Sequence, residues 1–229
     1  MLLPVFAPLV LKEYNDKNQK KLPNTLEEAG VTVVNINGIN FKYFYPLFCD
    51  IDKNEDRLPI WCSGITDRDP SPNIEKDAQG KIVKKEDVYP EEGEVVVGGN
   101  EVIDLEEGIN KTKRARLYIS PLKTFEYDLA MSGNFSIMAE VLEEEWPKEG
   151  GEKGVKNHCK QIKDKNNCYL KKEEKREDAK YIYKHIDCDD VGKGIFSQTL
   201  IEKIEKKQGI VIPEYIKKAI IWACGGNCD

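Results

Sequence analysis

The order of hydrophobic and polar positions predicts helices that alternate with strands. Apolar side chains recur at helical spacing in several segments. The predicted helices cover residues 2–18, an aromatic-rich segment at 41–48, a segment from about residue 124, residues 171–185, a segment from about residue 194, and residues 213–224. Short runs rich in β-branched or aromatic residues predict strands at residues 31–36, 59–66 and 116–119. This alternation predicts an α/β fold, a three-layer sandwich with a mostly parallel sheet.

Two polar segments interrupt this pattern. Residues 71–108 are rich in Asp, Glu, Lys, Pro and Gly, which predicts an excursion over the surface. Residues 148–170 have the composition of a polar linker. We therefore expect a core at residues 1–147 that carries the acidic surface insertion, and a C-terminal part at residues 148–229 that consists of the linker and helices.

Length and composition are those of a folded protein. The chain has 229 residues, of which 40% are hydrophobic and 33% charged, which is more polar than an average globular protein without reaching the composition of a disordered one. No apolar run approaches the roughly 18 residues that a membrane span requires. The N-terminal segment also lacks the basic start and small-residue cleavage site of a signal peptide. We expect a cytoplasmic protein without a membrane partner.

The cysteine pattern favours reduced thiols. Seven cysteines, an odd number, are scattered along the chain, unlike a secreted disulfide framework. A possible zinc set lies in the C-terminal part, but it lacks the paired spacing of structural zinc ligands, so no zinc is expected. This set consists of His158, Cys159, Cys168, His185 and Cys188. Cys224 and Cys228 are expected in a frayed tail.

Charge is distributed unevenly. The net charge of -6 argues against a basic nucleic-acid coat over the whole surface. Residues 50–107 contain 17 acidic and 7 basic side chains, whereas residues 111–123 contain cations and no acid. The cations, which are candidate contacts for DNA phosphates, are Lys111, Lys113, Arg114, Arg116 and Lys123. An acidic segment beside a cationic one suits a site that holds divalent metals and receives a phosphate, although solvated charge runs are the commoner explanation.

One acidic pair lies where an α/β sheet would bind a ligand. Asp67 and Asp69 directly follow the predicted strand at residues 59–66. Carboxylates two residues apart in extended backbone point to the same side and can share a hard cation. A solvated turn that closes at Pro70 is the alternative. The carboxyl ends of parallel strands are the usual ligand-binding edge, which favours a functional interpretation.

Five segments together resemble a known nuclease family. In chain order they are VTVVNINGINFKYFYPLF at residues 31–48, ITDRDP at 65–70, KTFEYDLA at 123–130, KGIF at 193–196 and VIPEYIKKAI at 211–220. This set closely resembles the C-terminal TOPRIM nuclease region of the overcoming-lysogenization-defect (OLD) family of ATP-dependent endonucleases. The resemblance covers nearly the whole chain. It implies a Rossmann-like TOPRIM core with C-terminal helices.

The resemblance also implies a chemistry, metal-dependent DNA cleavage. Asp67 and Asp69 match the family's D-x-D metal ligands, and Glu126 matches the acid of its T-L-E motif. Lys193 matches the lysine of the K-G-x-F motif and would neutralise charge on the phosphate. Asp128 is a further acid that could support the metal site. Two Mg2+ or Mn2+ ions are the implied cofactors.

The sequence departs from the family in two respects. It matches the family only from just after the Glu-Gly motif, so we expect the first strand and its catalytic glutamate to be missing ahead of Met1. The chain also has no G-x-x-x-x-G-K-[ST] motif, so we expect it to bind no nucleotide itself. The expected partners are DNA and an ATPase domain or subunit, and a homo-oligomer is a further option.

Two other functions fit some of these residues. The chain could be a catalytically weak TOPRIM remnant that binds DNA or an ATPase subunit. A haloacid-dehalogenase-like phosphatase would also have a D-x-D at a strand end, with Asp189 and Asp190 as a second acidic pair. That alternative is poorer because its lysine precedes the second pair, whereas Lys193 follows it.

Overall fold

The computed structural model describes residues 2–147, 152–188, 190–206 and 209–227, and within them the fold is mixed α/β. Its α-helices are α1 (Leu3–Asn18), α2 (Phe41–Phe48), α3 (Glu106–Asn110), α4 (Phe125–Met131), α5 (Phe135–Glu145), α6 (Glu152–Asp164), α7 (Lys172–Ile186), α8 (Gly192–Glu205) and α9 (Glu214–Ala223). Its strands are β1 (Cys49–Asp50), β2 (Glu55–Asp56), β3 (Cys62–Thr66), β4 (Asn73–Lys76), β5 (Ile82–Glu86) and β6 (Ala115–Ile119). A 3-10 helix, Glu101–Leu105, precedes α3.

The residues form two compact units. The first, which we call the sheet unit, combines three chain segments: Leu3–Tyr89, Val95–Thr124 and Glu214–Asp229. The second, the helical unit, consists of Met1–Leu2, Pro90–Glu94 and Phe125–Pro213. This grouping differs from the predicted division at residues 147 and 148, since α4 and α5 belong with α6, α7 and α8.

A parallel strand pair is the centre of the sheet unit. β3 and β6 run parallel, with Cys62 opposite Ala115 and Thr66 opposite Ile119. β1 pairs with β2, and β4 with β5, as antiparallel hairpins. On β6, Ala115, Leu117 and Ile119 are buried while the residues between them are half-buried, as expected of a strand with one face on a core. That core includes Phe41, Tyr45, Val102 and Ile109.

The C-terminal helix α9 also packs on this strand pair. Ser63 Oγ donates a hydrogen bond to the Ala219 carbonyl at 3.0 Å, and Trp222 Nε1 donates to the Arg114 carbonyl at 3.0 Å. α1 packs against α9, where Lys217 pairs with Glu13 at 2.8 Å. The first and the last helix of the described residues, α1 and α9, therefore belong to the same unit.

The helical unit is built around α5. This helix packs against α6, α7 and α8, and α4 packs against α7. Its fully buried side chains include Phe135, Met138 and Leu142 on α5, Ile162 on α6 and Ile182 on α7. Within the described residues, none of the helices is long and apolar enough to cross a membrane.

Most predicted elements are confirmed, with boundaries shifted by a few residues. The predicted strand at residues 59–66 is confirmed in the shorter form of β3, and the strand at 116–119 as β6. The helices predicted at residues 2–18, 41–48, 171–185 and 213–224 correspond to α1, α2, α7 and α9. Those predicted from about residues 124 and 194 correspond to α4 and α8.

The strand predicted at residues 31–36 is wrong. This segment has no regular secondary structure, and Val34 is 65% exposed. A β-branched run becomes a strand only where a neighbouring strand satisfies its backbone groups. Within residues 2–147 the parallel sheet therefore consists of two strands, β3 and β6, whereas the sequence predicts three.

The linker predicted at residues 148–170 is also wrong in most of the part that the structure describes. α6 occupies Glu152–Asp164, and Val155, Cys159 and Ile162 are buried. These three residues are spaced by four and three positions, which puts them on one helix face despite the many lysines around them. Residues 148–151 lie outside the described residues.

The surface insertion predicted at residues 71–108 is confirmed only for its first half. Every residue of β4 and β5 is exposed. Further along, however, Asn100 and Val102 are buried. Val102 joins the core of the sheet unit, and α3 packs against β6. Composition alone missed this return to the core because the buried positions stand among acidic residues.

Candidate functional site

Asp67 and Asp69 follow the carboxyl end of β3, as the sequence predicts. Asp67 is half-buried and Asp69 is exposed. Residues 67–71, which we call the acidic turn, leave the sheet where the parallel neighbour β6 also ends, since Ser120 N donates to the Thr66 carbonyl at 2.9 Å. The two carboxylates therefore lie at the usual ligand-binding edge of a parallel strand pair.

Backbone hydrogen bonds from one side fix the acidic turn. The amides of Arg68 and Asp69 both donate to the Lys123 carbonyl, at 3.0 and 3.1 Å. Arg68 Nε donates to the Ser120 carbonyl at 2.9 Å. Asp69 adopts a φ of 45°, a left-handed conformation that is uncommon for residues other than glycine. Such a backbone persists when surrounding contacts specify it.

Residues 97–100, which we call the clamp segment, hold the turn from another side. Gly99 N donates to the Asp69 carbonyl at 2.7 Å, and Pro70 and Gly98 form an antiparallel bridge. Asn100 Nδ2 donates to Thr66 Oγ1 and to the Asp67 carbonyl, each at 3.1 Å. The clamp segment thus contacts the turn at both aspartates.

Buried polar groups concentrate at this edge of the sheet. Those in the described residues there are Thr66, Asn100, Ser120, Lys123 and Thr124. Ser120 is fully buried, and its Oγ makes no hydrogen bond with any described residue. Buried polar atoms normally find partners, so an orphaned hydroxyl at this edge of the sheet is consistent with a site that binds a polar ligand.

The donors of the acidic turn fit a hard divalent cation in chemical type. Mg2+ and Mn2+ prefer carboxylate oxygens, and Asp67 and Asp69 supply two such groups. The described residues contain no group of three His, Cys, Asp or Glu side chains that could hold a metal ion. Asp67 and Asp69 would therefore supply only part of the ligand set of such an ion, and its remaining ligands would have to come from other groups.

Arg68 and Glu106 add charge close to the acidic turn. Burial raises the pKa of the Glu106 carboxyl, and the positive charge of Arg68 opposes that shift. Arg68 is half-buried. Its guanidinium places a positive charge at the sequence position between the two aspartates.

The other predicted catalytic residues lie in the helical unit. Glu126, in the first turn of α4, has a side chain that is 14% exposed. Its Oε2 is 3.5 Å from Lys193 Nζ and accepts no hydrogen bond from the described residues. Lys193 is also 3.3 Å from Asp187, and its own side chain is 45% exposed. The structure thus brings together Glu126 and Lys193, which are 67 positions apart in the chain.

Asp128 also lies on α4, where it is 2% exposed. Its carbonyl accepts hydrogen bonds from the amide and the hydroxyl of Ser132, at 2.9 and 2.8 Å. Its role in a metal site stays a prediction. Asp189, part of the acidic pair of the phosphatase alternative, lies outside the described residues.

The expectation that the cationic stretch lies beside the acidic pair is wrong for its first residues. Because β3 and β6 are parallel, residues 111–114 precede the amino end of β6 while Asp67 follows the carboxyl end of β3. Five residues of strand separate these ends, about 16 Å at roughly 3.3 Å per residue. Residues 111–114 and the acidic turn therefore lie at opposite ends of the β3–β6 strand pair.

The candidate DNA contacts differ in how available they are. Lys113 is exposed and Arg114 half-buried, and both of their amides donate to Asp56 Oδ1. Lys111 is exposed and pairs with Glu107 at 2.5 Å. Arg116 stacks on the Trp222 ring, 3.9 Å from its centroid.

Lys123 is held inside the sheet unit. It is 7% exposed, and Nζ donates to the Val88 carbonyl at 3.1 Å and lies 4.6 Å from the Tyr89 ring. In this conformation the backbone of Lys123 supports the acidic turn while its side chain points away from solvent. Its DNA contact stays a prediction.

The described cysteines carry free thiols. They are Cys49, Cys62, Cys159, Cys168, Cys188 and Cys224. Burial raises the pKa of the Cys62, Cys159 and Cys224 thiols to about 11. Cys224 is half-buried at the end of α9, and Cys228 lies outside the described residues.

Comparison with known proteins finds no matching family model, no similar curated protein and no matching solved structure.

The sequence did not indicate the roles of two residues, Asn100 and Arg68, that hold the acidic turn in place. Asn100 stood in the segment expected to be surface, although the preceding Gly98-Gly99 pair is a signal of close backbone approach. Arg68 was noticed only as the middle residue of the D-x-D. The hydrogen bonds from Arg68 to the Ser120 carbonyl and from Asn100 to the Asp67 carbonyl could not be predicted, because each joins segments that are more than 30 residues apart.

Proposed function

We propose that the chain is a metal-dependent DNA endonuclease module with a TOPRIM-type, Rossmann-like core. The observation that supports this most is the acidic turn. It presents a D-x-D pair at the carboxyl end of a parallel strand, anchored by Lys123, Ser120 and the clamp segment. A solvated loop would not require so many buried polar contacts to hold two carboxylates.

In this proposal Asp67 and Asp69 provide the oxygen ligands. Bound Mg2+ or Mn2+ would supply the activation of a water and the stabilisation of charge on the phosphate. Asp69 is exposed and remains accessible to a substrate, whereas Asp67 is half-buried. Arg68 adds a fixed positive charge that partly offsets the repulsion between the two carboxylates and favours an approaching phosphate.

Glu126 and Lys193 are proposed as catalytic residues on the basis of the family resemblance. The family resemblance assigns an acid and a lysine to these positions, and the two side chains pair at 3.5 Å. The carboxylate of Glu126, which is 14% exposed, attracts the ammonium of Lys193 and helps to orient it. That ammonium can then neutralise negative charge on a phosphoryl oxygen.

Lys113 and Arg114 are proposed as DNA contacts remote from cleavage. They lie near the amino end of the strand pair, about 16 Å from the acidic turn, which corresponds to about five base-pair steps of duplex. Such contacts position the duplex and carry no sequence information. We therefore expect them to support binding without selecting a sequence.

Plasmid cleavage tests the proposal. Supercoiled DNA is incubated with the chain and Mn2+, Mg2+ or a chelator, and nicked and linear products are quantified. We expect metal-dependent cleavage that falls at least about 100-fold in Asp69→Asn, since metal ions contribute several kcal/mol and about 1.4 kcal/mol is tenfold in rate. Asp104→Asn, at another exposed aspartate of the sheet unit, is the matched control and should cleave normally.

Two results would contradict the proposal. Cleavage that persists in Asp69→Asn would mean that another group or a contaminant cuts the DNA. Metal-independent DNA binding with no cleavage under any condition would favour the binding module instead.

A further inference from the structure

We propose that Asn100 and Gly99 are positioning residues that set the conformation, and thereby the metal affinity, of the acidic turn. This inference rests on the proposed function for the metal and on geometry alone for the conformation. Asn100 reaches the turn from a segment more than 30 positions along the chain. Neither residue supplies a ligand, so both act through Asp67 and Asp69.

Asn100 uses its whole amide group. Nδ2 donates to Thr66 Oγ1 on the last residue of β3 and to the Asp67 carbonyl. Oδ1 accepts from Val102 N at 2.9 Å, at the start of the 3-10 helix. Because Val102 is buried in the core, Asn100 ties the first residue of the acidic turn to a fixed point of the sheet unit. With only 7% exposure, water cannot readily replace these bonds.

Gly99 acts on the second aspartate. Its amide donates to the Asp69 carbonyl at 2.7 Å, and a Cβ on Gly99 would lie only 2.5 Å from that carbonyl oxygen. Only glycine permits this approach without moving backbone. Asp69 meanwhile keeps its left-handed φ of 45°. Two hydrogen bonds hold this conformation from two sides, one from the Asp69 amide to the Lys123 carbonyl and one from the Gly99 amide to the Asp69 carbonyl. The clamp segment thus fixes the backbone of Asp69 and the direction in which its side chain leaves that backbone.

The arrangement holds the backbone that carries the two carboxylates without the help of a metal. Two like charges at neighbouring positions repel, and an unrestrained turn would let them separate. A turn held at the Asp67 carbonyl by Asn100 and at the Asp69 carbonyl by Gly99 keeps the backbone of both aspartates in place before a cation binds. Preorganisation of this kind raises affinity by reducing the ordering that binding requires.

The chain offers a matched control in Asn110. Its side chain makes the same kind of bonds in the same unit, since Nδ2 donates to the Leu117 carbonyl at 3.3 Å and Oδ1 accepts from Leu117 N at 2.8 Å. These bonds support the middle of β6, not the acidic turn. Asn110→Ala therefore removes two side-chain bonds to backbone without loosening residues 67–71.

The experiment compares wild type, Asn100→Ala, Asn100→Asp, Gly99→Ala and Asn110→Ala. Hydrogen exchange followed by mass spectrometry reports the amides of the acidic turn, and electron paramagnetic resonance reports free and bound Mn2+. In Asn100→Ala we expect the amide hydrogens of residues 67–71 to exchange at least 10-fold faster than in wild type. We expect the same variant to bind Mn2+ at least 10-fold more weakly. Asn100→Asp, which keeps the acceptor for Val102 N but loses both donors, should behave like Asn100→Ala.

Cleavage kinetics separate positioning from general damage. A looser turn should raise the Mn2+ concentration for half-maximal cleavage and leave the rate at saturating Mn2+ within about threefold of wild type, because excess metal restores the bound turn. A variant that merely misfolds would not be rescued by metal. Asn110→Ala should match wild type in exchange at residues 67–71 and in Mn2+ affinity.

The outcomes distinguish this inference from the proposed function. Exchange of the 67–71 peptide that is no faster in Asn100→Ala than in Asn110→Ala would overturn the positioning role. Faster exchange with unchanged Mn2+ affinity would overturn its link to metal binding. If wild type binds no Mn2+, the proposed function fails, and the exchange comparison still tests whether Asn100 sets the turn. Failure of Gly99→Ala to fold would leave both Asn100 variants as the test.

Discussion

At the scale of single residues, the acidic turn depends more on backbone than on side-chain contacts. Asp69 has a left-handed φ. Its amide donates a hydrogen bond to the Lys123 carbonyl, and its carbonyl accepts one from the Gly99 amide. The identity of Gly99 follows from the space that the Asp69 carbonyl occupies. A search for carboxylates alone would find Asp67 and Asp69 and overlook the residues that fix their geometry.

Buried thiols give a pH prediction at the same scale. The pKa of the Cys62 and Cys159 thiols is about 11 instead of 9.0, so at pH 8 the reactive thiolate is about 100-fold rarer than in an unperturbed thiol. We expect iodoacetamide to label exposed Cys168 first at pH 8. Labelling of Cys62 and Cys159 should rise about tenfold per pH unit until the pH approaches 11. Peptide mass spectrometry at pH 7, 8 and 9 checks this.

Two results would contradict that expectation. Labelling of Cys62 as fast as Cys168 at pH 8 would mean that its surroundings open readily. A Cys62 rate that does not change between pH 7 and pH 9 would mean that opening, not ionisation, limits the reaction.

At the scale of elements, the insertion after the acidic turn consists of two different parts. The β4–β5 hairpin is exposed at every strand position, and its turn is closed by Asp77, whose Oδ1 accepts from Gln79 N and Lys81 N. The clamp segment and the 3-10 helix after it reach the core instead. Sequence composition is similar in both parts, so only packing separates them.

The hairpin should therefore be dispensable for stability. Replacing residues 74–85 with a short Gly-Ser connection removes bonds that lie within the hairpin and no buried apolar side chain. We expect the free energy of unfolding to change by less than about 1 kcal/mol, as for surface changes away from specific contacts. Urea unfolding followed by circular dichroism measures it.

The 3-10 helix Glu101–Leu105 supplies the comparison for that experiment. Val102→Ala truncates a side chain that is 2% exposed in the core, and it should cost about 1 to 3 kcal/mol. If the hairpin deletion destabilises the protein as much as Val102→Ala does, the hairpin has a structural role that its exposure does not indicate.

At the scale of the whole molecule, the sheet unit is assembled from an early segment that starts at Leu3, a middle segment and the C-terminal segment. α9 packs on β3 and β6, and Trp222 is one of its buried side chains. Trp222 is 4% exposed, contacts Trp61 edge to face with ring centroids 4.8 Å apart, and has the Arg116 guanidinium 3.9 Å from its ring. The strands that carry the acidic turn thus depend on a helix about 150 residues later.

Trp222→Ala tests this dependence. Truncation of a buried Trp typically costs about 3 to 5 kcal/mol, and here it also removes the hydrogen bond to the Arg114 carbonyl. Trp61→Ala is the control, because Trp61 is 43% exposed. This variant should lose less than half as much free energy of unfolding as Trp222→Ala. Urea unfolding of both variants provides the comparison. Equal losses in the two variants would mean that α9 does not anchor the strand pair.

How much of the fold could be predicted depended on the range of the interactions involved. The helices α1, α2, α7 and α9 and the strands β3 and β6 follow from local periodicity, which a single segment carries by itself. Residues 31–36 have the β-branched composition of a strand, yet whether they pair depends on a neighbour that the sequence does not specify. α6 was missed because three apolar positions stand among many lysines.

The same division applies to the candidate site. The sequence by itself determined that Asp67 and Asp69 follow a strand, that Glu126 begins a helix, and that a cationic stretch precedes β6. Only the tertiary structure decided that Asn100 and Gly99 hold the acidic turn and that Glu126 pairs with Lys193. It also decided that residues 111–114 lie at the far end of the strands from Asp67. The physical reason is that periodicity and turn chemistry act over a few residues, whereas strand register and buried hydrogen bonds join groups that are distant in the chain.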